Sequence, residues 1–223
     1  MLAATLINPM IPTLKLTDTV GKGLDWMNEF GVKQLVVADA GRYLGIVSED
    51  HFLEYSDDSI LLSDVILEYS TVYANSDQHL FEILNIVSQN KLQVLAVLSP
   101  QGDFEGSISL PDLMEHFVKS FGAEEKGAII VLKISERDYS LAEVSRLIES
   151  NGTKILSCYY ASGDFSESIY TSRLTLKLNR TDITPVIATL ERFGYDVEEA
   201  HANDPVQSID QQRLDLLLRY LAT

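Results

Sequence analysis

The chain contains one cysteine, Cys158, which excludes an intramolecular disulfide and any CxxC redox or zinc arrangement. Basic residues are also scarce. Seventeen Lys and Arg stand against 33 Asp and Glu in 223 residues, a net charge of −16, and such a surface repels phosphate backbones and anionic lipid. Non-specific nucleic-acid or membrane binding is therefore not expected. No apolar run approaches the roughly 18 residues that would span a bilayer. The opening segment lacks a basic leader, so it reads as a short helix ended by Pro9 rather than a signal peptide, and a cytoplasmic setting is expected. With 12 Gly and 6 Pro the chain is neither collagenous nor wholly disordered. The four histidines show no metal spacing. Without a nucleophile–base pair, metal cluster or phosphate loop, no enzyme is expected.

What the chain does contain is a repeat. Gly45-Ile-Val-Ser-Glu-Asp-His51 and Gly106-Ser-Ile-Ser-Leu-Pro-Asp112 each read as a strand turning directly into a helix. Upstream of each lies the same order. In the first copy this is a strand at Thr13–Leu16, a helix capped by Thr17 or Asp18 and ended by Gly31, and a hairpin turning at Asp39–Arg42. In the second it is a strand at Thr71–Ala74, a helix capped by Ser76 or Asp77 with Leu80, Ile83, Leu84 and Val87 on one face, and a hairpin turning at Pro100–Asp103. An offset that drifts by only two residues marks a duplicated unit, with repeats at about 1–58 and 59–120.

The composition changes over Phe121–Gly127. From 128 to 202 the order is β-α-β-β-α-β, with strands at Ala128–Ile134, Lys154–Tyr160, Ile169–Leu178 and Val197–His201, a polar hairpin at Ser162–Asp164, and helices at Ser140–Ser150 and Pro185–Phe193. This predicts a ferredoxin-like sandwich, so the fold class is α+β. After the linker Ala202–Pro205, residues 203–223 carry an amphipathic helix from about Ser208 to Leu221 with leucines at 214, 217, 218 and 221. Its own sheet or a partner subunit would cover that stripe.

The duplicated strand-helix-strand-strand-helix order with its glycine–serine step resembles the CBS domain, named after cystathionine β-synthase, two copies of which pair into one module. The family signature is Gly, hydrophobic, any, Thr or Ser, any, any, Asp. Gly106, Ser109 and Asp112 match it; Gly45 and Ser48 match it in the first copy, where His51 replaces the aspartate. The resemblance implies a ligand site for an adenine nucleotide or relative, namely AMP, ADP, ATP or S-adenosylmethionine. The carboxylate would meet ribose hydroxyls, and the serine and first-turn N–H groups would meet phosphate. One competent site, at Ser109 and Asp112, and one altered site, at Ser48, are expected.

The second unit resembles the ACT domain, a regulatory module for amino acids. Arg137-Asp-Tyr139 stands where that family has Arg-Pro-Gly, and a tyrosine at the glycine position fills the space an effector would use. A CBS pair followed by such a unit is similar to acetoin-utilisation B-type proteins. The resemblance implies a regulatory, homodimeric ligand sensor acting on an unknown protein partner, without a catalytic cofactor. The alternative is a ligand-free oligomerisation or interaction module. Ser109-Leu-Pro-Asp112 also reads as a plain capped helix start, as does Ser48 with Glu49 and Asp50, and both readings stand open at this level.

Overall fold

The computed structural model of the protein describes residues 1–135, 137–162 and 171–202. Two compact units divide between Phe117 and Val118.

In the first unit, α1 (Val20–Phe30), β1 (Gln34–Asp39), β2 (Arg42–Ser48) and α2 (Glu49–Phe52) form the first copy. The second copy comprises β3 (Ala74–Asn75), α3 (Leu80–Asn90), β4 (Val94–Leu98), β5 (Phe104–Ser109) and α4 (Leu110–Ser120). The middle of β1, residues 35–38, is an unbroken apolar run because both of its faces are buried. Leu35 and Val37 pack with Val20, Met27 and Phe52, whereas Val36 and Ala38 join Ala96 and Val97 in the core of the second copy. Hydrogen bonds also link the copies, Gln93 N–H to the side-chain Gln34 Oε1 at 2.7 Å and Phe104 N–H to Gly41 O at 2.8 Å.

The helix starts differ from expectation by one to three residues. Thr19 caps α1, accepting from Lys22 N–H, and His79 caps α3 in a reciprocal box with Glu82. Asp18 is drawn off instead to Lys15 N–H and the Lys22 ammonium. Its counterpart sixty residues on, Gln78, closes the same turn on Asn75 N–H. The opening strands are also shorter than expected. The first is a single parallel bridge, Leu14 to Val37, and the second is the two-residue β3 beside Val97 and Leu98. Gly31 and Lys91 end α1 and α3 in the left-handed region, at φ 64° and 53°. The helix that follows Ser48 is short and stops at Phe52, with Leu53 largely exposed.

Each copy is completed by a segment that precedes the other in sequence. Leu2 bridges His79 and Asn8 N–H reaches Ser107 O, so residues 2–8 dock on the second copy. Leu61 bridges Thr19 and Glu68 pairs with Ile46, so residues 61–68 dock on the first. Both motif glycines lie under these segments. A Cβ on Gly106 would stand 2.5 Å from Ile7 Cγ2, and one on Gly45 2.7 Å from Glu68 O. The need for glycine here is close approach.

The second unit contains β6 (Ala128–Ser135), α5 (Leu141–Glu149), β7 (Ile155–Ala161), β8 (Thr171–Leu178), α6 (Thr184–Arg192) and β9 (Asp196–His201). Its sheet order is β7-β8-β6-β9, antiparallel throughout, as the ferredoxin-like reading requires. Ile130, Leu132, Leu174 and Leu176 face Val144, Leu147, Val186 and Leu190 of the two helices. Residues 163–164 of the expected hairpin, the first two residues of the expected third strand, and the C-terminal helix lie outside the described residues.

Candidate functional site

In the second copy the signature converges on one cluster. Ser109, at the end of β5 and 7 % exposed, donates to Asp112 Oδ2 at 2.5 Å and accepts from Asp112 N–H at 3.2 Å. Asn8 Nδ2, from the docked segment, donates to the same oxygen at 2.8 Å. Asn8 Oδ1 in turn accepts from Met10 N–H at 2.9 Å, fixing the amide orientation. Both side-chain bonds to Asp112 fall on the same oxygen, Oδ2.

The first turn of α4 has its own hydrogen bonds. Leu110 N–H is bonded to Gln93 O at 2.8 Å, Pro111 has no N–H, and Asp112 N–H goes to Ser109. These two N–H groups are engaged within the chain, and the helix dipole is a further attraction for an anion at that end. What remains chemically available is a carboxylate acceptor suited to ribose hydroxyls.

One buried group lies beside this cluster. Ser107 Oγ, on a residue 2 % exposed, has no hydrogen-bond partner among the described residues. Ser107 and Ser109 are two apart on β5 and so share a strand face. The first copy has buried Ile46 at the equivalent position.

The first copy has its acid elsewhere. Ser48 caps α2 by accepting from His51 N–H at 3.3 Å and donates to Glu68 Oε2 at 3.3 Å. His51 packs edge-on to Tyr55, and Asp50 is exposed. Glu68 occupies the position corresponding to Asn8, sixty residues on. Asn8 and Glu68 were not legible as site residues because both lie outside the motif they complete, in segments whose docking no local pattern encodes. Their signal is the repeat offset itself.

In the second unit, Arg137, Asp138 and Tyr139 line a cleft of about 560 Å³ with Lys133, Glu143 and Tyr195. Tyr139 stands edge-on to Tyr160 at 5.0 Å, and Tyr195 donates to Glu143 at 3.2 Å. Burial and the Glu143 carboxylate raise the pKa of the Tyr195 phenol. Cys158 is partly buried against the helix-packed core. Among the described residues no group of three or more His, Cys, Asp or Glu is arranged for a metal ion, and no helix is long and apolar enough to cross a membrane.

Among solved structures, the chain is similar to a CBS domain pair/ACT domain protein from Thermotoga maritima, at 20 % identity and TM-score 0.48, covering 53 % of this chain and 98 % of that one. It is also similar to CBSX2 of Arabidopsis thaliana in complex with AMP, at 16 % identity and TM-score 0.46, covering 53 % and 96 %. A third is the cytosolic domain of the magnesium channel MgtE in complex with ATP, at 19 % identity and TM-score 0.44, covering 52 % and 48 %. Residues 3–58 match the CBS domain family, and the strand-turn-helix architecture of that stretch recurs in the second copy.

Proposed function

We propose that the second-copy cluster binds the adenosyl part of AMP, ADP, ATP or S-adenosylmethionine, and that the chain is a regulatory ligand sensor rather than an enzyme. The observation that carries this reading is the Asp112 carboxylate. It is held on one side by Ser109 and Asn8 and lies at the spacing of the CBS signature. The orphan Ser107 hydroxyl beside it adds support, since a buried unpaired polar group is rare and calls for a partner. Occupancy is relayed through the ACT-like second unit to a partner protein, which requires that the ligand bind two states of the molecule with different affinity. The protein works as a cytoplasmic homodimer in this reading.

A thermal-shift panel of AMP, ADP, ATP, S-adenosylmethionine, NAD and free amino acids tests it. A ligand at a hundredfold excess over Kd adds about 2.7 kcal/mol to apparent stability, so adenosyl compounds should raise the midpoint. No shift with any of them would count against the sensor. A second reading, a ligand-free oligomerisation module, draws on the helix-free face of the second unit's sheet. There Ile129, Val131 and Tyr159 line a groove of about 390 Å³.

A further inference from the structure

We infer that Asn8 is the positioning residue of the second-copy site, so that the segment preceding the first copy is a working part of the second. This rests on the reading of Asp112 as the ribose acceptor. A carboxylate can rotate and present either oxygen, and only donors on one side fix which one is left for a ligand. Ser109 supplies one such donor from within the motif. Asn8 supplies the other, and its amide cannot turn over without losing the bond from Met10 N–H. The first copy carries the reverse arrangement. Its docked segment brings a carboxylate, Glu68, and its helix brings a non-acidic His51. Both copies therefore hold an acid hydrogen-bonded to the motif serine. Only in the second does the acid stand on the helix, with an amide donor behind it.

Asn8→Asp separates positioning from a merely structural role. It preserves size and the acceptor for Met10 N–H but replaces the donor to Asp112 with a second carboxylate. The double variant Asn8→Asp/Asp112→Asn restores a donor–acceptor pair while moving the acid onto the docked segment, as in the first copy. The full chain would be titrated with AMP and with adenosine, and melted without ligand. Asn8→Asp is expected to weaken both ligands at least tenfold and to lower the melting midpoint. The double variant is expected to recover the midpoint and not the binding. Wild-type affinity in Asn8→Asp, with binding lost in Asp112→Ala, would overturn the positioning role and leave the site itself standing. Recovery of binding in the double variant would overturn it too. Failure of wild type to bind either ligand, or unaltered binding in Asp112→Ala, would overturn both the site and the inference.

Discussion

Lys91 and Gly31 occupy the same place in the two copies, and they differ in what that place costs. Both end a helix in the left-handed region, where an L side chain is disfavoured by about 1–2 kcal/mol. Glycine removes that penalty and gives part of it back as unfolded-state entropy. Lys91→Gly should therefore stabilise the protein by up to about 1 kcal/mol, read from the urea midpoint. Tyr43 makes a different prediction. Its hydroxyl donates to Tyr69 O at 2.7 Å, tying the chain just beyond the docked segment to β2, and burial raises its pKa well above the ordinary 10.0. Folding then favours the neutral phenol. Its contribution is whole below pH 10 and is lost as pH rises from there toward the folded value. Tyr43→Phe should flatten the fall in stability above pH 10 relative to wild type, measured by denaturation across that range.

The helices and hairpins of the repeat were legible because their signals are local: apolar residues at helical spacing, a glycine stop, a turn between two apolar runs. The caps were legible only approximately. Asp18 has the chemistry of a cap, yet Lys15 N–H and the Lys22 ammonium are nearer partners, and Thr19 takes the role. His79 could not be singled out because histidine is an unusual cap, and only the reciprocal bond to Glu82 reveals it. The docked segments were not legible at all. Their backbone bonds run between residues up to about a hundred apart, and no local periodicity encodes such pairing. Gly45 records them indirectly. A Cβ there would press on the backbone of Glu68, which has little freedom to yield, whereas at Gly106 it would meet a side-chain methyl of Ile7. Gly45→Ala should accordingly destabilise by about 1–3 kcal/mol, and by more than Gly106→Ala in the same denaturation experiment.

At the scale of the whole molecule, the described hydrophobic residues gather into more than one core. Two belong to the repeat and share the strands between the copies, and one belongs to the ferredoxin-like unit. The composition change lies over Phe121–Gly127, whereas the units divide a few residues earlier, between Phe117 and Val118 within α4. The order of the later strands made the sheet order readable, since a β-α-β-β-α-β chain with short connections has few ways to pair. What composition could not give is the asymmetry between the copies. That depends on Asn8 and Glu68, sixty residues apart, each reaching the motif of the copy other than the one that follows it. The account therefore stands on the second-copy carboxylate, and calorimetric titration of the full chain with AMP, wild type against Asp112→Ala, tests it most directly. One site per chain in the wild type, lost in a variant whose melting curve still shows a folded protein, is the predicted result. Equal binding by the two proteins, or none by the wild type, would contradict it.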